Sequence, residues 1–369
     1  MKSPGLNNLL AAEIVRQGPL TFARFMELAL YHPEFGYYAS GRAHIGREGD
    51  FYTNVSVGPV FGRVLAGQFQ EMWHHLGCPA PFVVVEQGAH TGQFAADVLR
   101  ALPDKFPIHY HIVEPSPVLR QQQNAALAPL GRSVHWAASL EELPEFTGVH
   151  FSNELIDALP FHLVRSTGSG WEELRVGLEH DTLTFQTTAP SSAIAAEMAR
   201  LPQRPAGTMA ELRPAVRDWI RSVSDRMGAG FILVVDYGFP REALLAPHRR
   251  EGTFSCYRHH RRDARPLEDP GEKDITAHVD FSALADAARD SGFHVEGFAD
   301  QYHFLVGASE TLLRSLEGPP DAASQKTLRA LQTLLHPESM GTQFHYLALA
   351  KDVPSGEKLS GFRHSRKTV

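Results

Sequence analysis

Four carboxylates close or follow short apolar runs in this chain, and a glycine turn begins two residues after the first of them. Phe82–Gln87 ends in Glu86-Gln87-Gly88-Ala89-His90-Thr91-Gly92, ahead of a helical pattern. A strand, a glycine turn and a helix in that order let the backbone approach a nucleotide-type cofactor at a helix N-terminus. Such a turn is also a plain structural element, since glycine serves wherever φ must be positive. Ile112-Val113-Glu114-Pro115 sets a second carboxylate at the end of the next apolar run. There it can accept two ribose hydroxyls, or stand solvated. Glu86 before the glycine turn would repel a pyrophosphate but suits a cofactor carrying an amine and a sulfonium. Neither Gly-x-Gly-x-x-Gly nor Gly-Lys-Ser/Thr occurs at this turn, so S-adenosylmethionine is favoured over NAD.

The third cluster is Ser152-Asn153-Glu154-Leu155-Ile156-Asp157. Polar residues at the carboxyl edge of a central strand lie over the crevice where ligands bind in open α/β sheets. Asn153, Glu154 and Asp157 could orient a nucleophilic nitrogen, bind a guanidinium or accept its proton. The same residue types also suit a helix N-cap with acids in its first turn.

These groups need a scaffold, and from about residue 80 short apolar strands alternate with helical stretches, the pattern of βαβ units on a parallel sheet. Strands are expected at Phe82–Gln87, His109–Glu114, Val134–Ala137, Val149–Asn153 and Gly230–Asp236, with helices over Gln93–Leu102 and Ser116–Leu127. Ahead of them, residues 9–30 read as two short helices broken at Gly18-Pro19. Residues 161–228 read as an insertion with strands at Phe161–Arg165, Trp171–Leu178 and Thr182–Thr187, then helices over Ser191–Arg200 and Arg213–Met227. Residues 241–276 read as a long loop. A helix at Phe281–Ser291, strands near Phe293–Phe298 and Phe304–Val306, a helix at Gln325–Leu335, a strand at Gln343–Ala350 and a frayed tail Lys358–Val369 complete the expectation.

Charge and composition narrow the function. Thirty-five Lys and Arg against 42 Asp and Glu give the 369-residue chain a formal charge of −7. That field gives no support for non-specific binding to nucleic acid or anionic membrane. Cys78 and Cys256 cannot build a disulfide framework or a four-cysteine zinc site. Asn7, Asn8 and Glu13 interrupt any signal-peptide core, and no apolar run approaches a bilayer-spanning length, so a cytoplasmic protein without a membrane span is expected. Histidine is abundant, at 20 residues, but His74-His75 with Glu71 and Cys78 match no zinc spacing, and no metal is expected. His248–Pro266 holds six Arg, which suits a solvated loop or an anionic partner. Phe61, Leu65, Phe69 and Met72 form an apolar helical stripe, either core or homodimer interface.

The run Gly49-Asp50-Phe51-Tyr52-Thr53 with Phe61-Gly62 resembles a segment of the MidA family of S-adenosylmethionine-dependent methyltransferases. The likeness continues through Glu86-x-Gly88, Val113-Glu114, Asn153-Glu154-x-x-Asp157-Ala158-Leu159-Pro160, Asp236-Tyr237-Gly238, Gly252-Thr253, Tyr257-Arg258-x-His260, Pro270-Gly271 and Asp274-x-Thr276-Ala277-His278-Val279-Asp280-Phe281. It departs where Ala89 and His90 replace the family's Pro and second Gly.

The resemblance implies a class I methyltransferase fold, a Rossmann-like sheet with a helical N-terminal extension and an inserted α+β subdomain. The expected division is 1–79 as helical cap and lid, 80–160 with 229–350 as cofactor-binding domain, 161–228 as substrate subdomain and 351–369 as tail. Asp50, Thr53, Glu86, Gly88, His90, Gly92, Glu114 and Asn153 would bind S-adenosylmethionine. Glu154 and Asp157 would hold an arginine guanidinium, with Asp236 and His278 orienting it or accepting its proton. The implied activity is methylation of an arginine on a protein substrate, a respiratory-complex subunit in the family's mitochondrial branch. A non-catalytic assembly scaffold with an altered glycine loop is the alternative, and an NAD-linked oxidoreductase is disfavoured by Glu86.

Overall fold

A computed structural model describes residues 4–38, 53–258, 261–316, 321–354 and 356–369. The chain divides into two compact units, one of Thr53–Ile156, Arg217–Gly238 and Phe281–Val369, the other of Met1–Tyr52, Asp157–Val216 and Phe239–Asp280.

The first unit is built on seven strands, numbered here along the chain: β1 Phe82–Gln87, β2 Ile108–Val113, β3 Val134–Ala137, β4 Phe146–Asn153, β5 Met227–Phe239, β6 His294–Asp300 and β7 Phe344–Lys351. Their spatial order is 6-7-5-4-1-2-3. Strands β1 to β5 pair in parallel, whereas β7 runs antiparallel to both β5 and β6. This is the α/β sheet of a class I methyltransferase. Strands covered on both faces must be apolar throughout, and Phe231–Val235 of β5 is fully buried. The helix Val60–His75 packs Phe61, Leu65, Phe69 and Met72 into this core, so the apolar stripe is interior. Phe94 stacks on Phe151 at 4.4 Å between ring centroids, tying helix Gln93–Ala101 to β4.

Two expectations fail in this unit. Phe304–Val306 is not a strand: it lies in helix Gln301–Ala308, whose cap Asp300 accepts the His303 backbone N–H at 3.0 Å. The tail is not frayed, since Leu359 and Phe362 are fully buried and Ser360 donates its N–H to Glu71 at 2.9 Å.

The second unit starts with helices Pro4–Gln17 and Phe22–Tyr31. Thr21 accepts the Arg24 N–H at 3.1 Å and so opens the second helix just past the Gly18-Pro19 break. An antiparallel sheet follows, in which Leu20–Thr21, Trp171–Glu179, His162–Ser166 and Met209–Leu212 are neighbours and Thr182–Thr188 pairs with Trp171–Glu179. The supposed loop 241–276 contains a second sheet, Arg261–Asp263, Ser255–Arg258 and Asp274–Thr276. Its apolar anchors are few, Cys256 and Ile275 among them, and they pack with Phe22, Phe25 and Phe161. Helix 191–200 shrinks to Ala195–Met198. Because Val60–His75 buries its stripe against the central sheet while 239–280 shares a core with the N-terminal helices, the observed grouping differs from the linear division at 79, 160 and 228.

Candidate active site

The carboxyl ends of β1, β2, β4 and β5 bring most of the expected residues into the first unit. Glu86, 4% exposed, closes β1 and accepts the Tyr110 hydroxyl at 2.7 Å. Burial pushes its carboxyl up to about 7, against the pull of the tyrosine hydrogen bond. At physiological pH it therefore stands near half ionisation, and a neighbouring cation would drive it to the carboxylate.

Gly88 and Gly92 both have left-handed backbones, at φ +84° and +80°. A Cβ on Gly88 would stand 3.4 Å from Leu155, an ordinary contact, so it is the positive φ that calls for glycine in this turn. His90 also adopts a left-handed backbone, at φ +45°, which explains why the related motif carries glycine there. Its half-buried imidazole is held below the usual range by burial, and its carbonyl accepts the Gln123 side-chain N–H at 2.8 Å.

Glu114, 6% exposed, follows β2. One oxygen accepts the Ser116 N–H at 2.8 Å and the other the Gln123 amide at 3.3 Å. Burial raises its carboxyl above the ordinary range, opposed by those hydrogen bonds. Each carboxylate oxygen keeps a second lone pair, which suits a ribose diol. The left-handed Gly88 turn, the carboxylate after β2 and the buried acid near the end of β1 have the chemistry that S-adenosylmethionine calls for.

At the end of β4 the Asn153 amide donates to Glu154 at 2.9 Å and accepts from Asn54 at 3.5 Å. Glu154 has φ +53°, and its N–H continues the sheet by donating to the Val235 carbonyl at 2.9 Å. The chain thus leaves β4 through a left-handed residue, with the Glu154 carboxylate at the carboxyl edge of the sheet. Asp236, fully buried at the end of β5, accepts the Ile156 N–H at 2.9 Å and the Tyr237 N–H at 2.8 Å. The structure gives Asp236 the task of fixing the segment that carries Glu154. Thr53 is 8% exposed and its N–H and hydroxyl face Ser56, at 3.3 and 3.2 Å. Asp50 lies outside the described residues, as do the rest of 39–52 and His260.

Asp157 and His278 belong to the other unit. Asp157, 7% exposed, is pushed up to about 6 by burial, against the Arg213 guanidinium. Arg213 clamps the surrounding backbone, donating to the carbonyls of Asp157 at 3.0 Å, Leu159 at 3.0 Å and Ala277 at 3.1 Å. Burial and the charges of Arg249, Arg262 and Arg213 lower His278 to about 4, so its imidazole is neutral at pH 7. Among the described residues no group of three His, Cys, Asp or Glu could hold a metal ion.

Sequence reasoning missed Tyr110, Gln123, Asn54 and Arg213. Tyr110 is one alternation before Ile112 on β2, which a period-two reading could have placed beside Glu86. Gln123 sits in the run Gln121-Gln122-Gln123, where nothing local singles out one residue.

A class I sheet with a left-handed glycine turn after β1 and an acid after β2 defines an S-adenosylmethionine-dependent methyltransferase. Residues 64–299 match the S-adenosyl-L-methionine-dependent methyltransferase family, and the chain belongs to it. A Burkholderia thailandensis protein solved with S-adenosyl-homocysteine bound is 31% identical, with a TM-score of 0.86 over 98% of this chain and 95% of that one. The mitochondrial protein arginine methyltransferase NDUFAF7 of Bos taurus is 30% identical, covering 98% of this chain and 86% of its own length. Its Homo sapiens counterpart is 28% identical over 99% and 86%.

Proposed function

We propose that this methyltransferase methylates an arginine side chain of a protein. The observation that carries the reading is Glu154, presented at the end of β4 by a left-handed turn and held by Asn153 at 2.9 Å. The names of the NDUFAF7 relatives support the choice of arginine.

S-adenosylmethionine supplies an electrophilic methyl group on a sulfonium. Glu86 complements its positive charge, Glu114 takes the ribose hydroxyls, and Gly88 and Gly92 let the backbone approach. Thr53, Asp50 and Asn153 complete the binding set, and His90 contributes its backbone at the turn and not its imidazole. A carboxylate matches a guanidinium through paired charge-assisted hydrogen bonds. Glu154 would therefore orient the attacking nitrogen and take the proton it loses, the N–C bond forming as the methyl–sulfur bond breaks and S-adenosyl-homocysteine leaves as a neutral thioether. Asp236 acts through the backbone it fixes. We place the enzyme in the cytoplasm, with a respiratory-complex subunit as target.

The test is transfer of labelled methyl from S-adenosylmethionine to a protein extract, followed by acid hydrolysis and identification of methylarginine. Glu154→Gln is expected to lower kcat at least about 100-fold, as loss of a positioned proton acceptor does, with S-adenosyl-homocysteine affinity unchanged. Full activity in that variant, or label found only on another residue type, would refute the reading.

A further inference from the structure

The arginine-rich segment, which by sequence suits either a solvated loop or an anionic partner, resolves into distinct roles. Arg258 pairs with Glu272 at 2.7 Å and Arg265 with Glu268 at 3.1 Å. Arg262 donates to Ser255 at 2.8 Å and Arg250 to the Ala206 carbonyl at 3.1 Å. Arg249 is different. Its guanidinium lies over the Phe239 ring, 4.6 Å from the centroid, and its Nε is buried with no hydrogen-bond partner among the described residues.

The His278 ring packs on the same Phe239, at 5.5 Å, and its Nδ1 is likewise buried without a partner among the described residues. The backbone beneath it is fixed: the His278 N–H donates to Thr253 Oγ1 at 3.0 Å, and Glu211 holds Thr253 through its N–H at 2.7 Å and its hydroxyl at 3.2 Å. The charges acting on His278 are all guanidinium groups, those of Arg249, Arg262 and Arg213. The nearby carboxylate of Asp280 is engaged by Arg241 at 2.8 Å.

Arg249 is half-buried, with its Nε withdrawn from water and no ion pair among the described residues, and the natural complement of such a guanidinium is an oxyanion. A neutral imidazole beside it can present an N–H to a second oxygen without adding charge. We propose that Arg249 and His278 bind a carboxylate of the protein substrate, an Asp or Glu side chain. The site rests on the reading of a protein substrate given above. It selects acidic segments by local contrast, since the chain as a whole carries a formal charge of −7 and repels them elsewhere.

The experiment measures binding and transfers no methyl group, so its failure is distinct from a failure of arginine methylation. A fluorescent peptide with two glutamates and its two-glutamine counterpart are titrated into the full chain saturated with S-adenosyl-homocysteine. The glutamate peptide is expected to bind at least about tenfold tighter at low salt, the scale of one charge-assisted contact. Arg249→Gln should abolish that preference, Arg249→Lys should keep part of it, and Arg265→Gln, which removes an equal charge nearby in the chain, should keep all of it. Equal binding of the two peptides overturns the proposal, as does a preference that survives Arg249→Gln in a protein that melts like the wild type. Acetate binding that depends on Arg249, with no preference between the peptides, overturns it in favour of a small free carboxylate.

Discussion

Asp236 accepts the backbone N–H of Ile156 at 2.9 Å, joining residues 80 positions apart at the carboxyl ends of β5 and β4. Two residues before Ile156, Glu154 donates its own N–H to Val235 at 2.9 Å. The turn that presents Glu154 is therefore pinned on both sides by β5. Removing the carboxylate with Asp236→Ala leaves the Ile156 and Tyr237 N–H groups without that acceptor, at about 1–3 kcal/mol for each. Denaturant unfolding should show a loss of about 2–6 kcal/mol, and methyl transfer should fall with it. Asp236→Asn keeps an acceptor oxygen and should lose less. Equal stability of the alanine variant and the wild type would show that the pin contributes nothing.

His90 provides a second test, because its backbone is left-handed at φ +45°. A non-glycine residue there costs about 1–2 kcal/mol, while the extra freedom that glycine has in the unfolded chain costs folding about 0.5–1 kcal/mol. His90→Gly should leave the protein as stable as before or up to about 1 kcal/mol more stable, with S-adenosyl-homocysteine affinity preserved in calorimetric titration. A loss of about tenfold in affinity, some 1.4 kcal/mol, would instead assign the imidazole a direct cofactor contact.

Glu86 makes stability depend on pH. Its folded value of about 7 lies above the 4.5 of a free carboxyl, so the folded state holds the proton more tightly. The stability this contributes is complete below about 4.5 and is lost as pH rises through about 7. At about 1.4 kcal/mol per unit the span is about 3 kcal/mol. Glu86→Gln abolishes this dependence and should gain stability relative to wild type as pH rises from about 5 to about 8. A positively charged cofactor reverses the preference, so S-adenosylmethionine should bind the wild type more tightly at about pH 8 than at about pH 6. Parallel melting curves for the two proteins across that range would dismiss the burial of Glu86 as the cause.

Much of the sheet was legible because buried parallel strands write continuous apolar runs, as Phe231–Val235 does, and because Glu86 and Glu114 stand where those runs end. Less was legible where few side chains carry the packing. The sheet at Ser255–Arg258 and Asp274–Thr276 has Cys256 and Ile275 as interior residues amid arginines, and its hydrogen bonds join segments roughly 20 residues apart, which no local period reveals. Phe304–Val306 is apolar enough for a strand, and only the Asp300 cap with the burial of Phe304 and Leu305 settles it as helix. At the site, Glu154 was visible as a residue type, but the left-handed turn that presents it depends on β5, which lies far along the chain.

The C-terminal segment yields the last prediction. Phe362 is fully buried, packs edge-on against Phe304 at 5.1 Å and lies against Gly297, where any side chain would collide with its ring. Polar contacts hold the segment on either side: the Ser360 hydroxyl donates to Glu71 at 2.6 Å and the Gly361 N–H to Gln68 at 3.1 Å. Composition concealed this docking, since Lys358–Val369 is basic and its two apolar anchors, Leu359 and Phe362, do not repeat. Truncating a buried phenylalanine costs about 3–5 kcal/mol. Phe362→Ala should therefore lower the unfolding free energy by that amount, and a chain ending at residue 357 should lose at least as much. Lys358→Ala, which touches none of these contacts among those described, should unfold like the wild type and serves as the control. If Phe362→Ala also unfolds like the wild type, the segment is not docked in solution and the core of the methyltransferase unit closes without it.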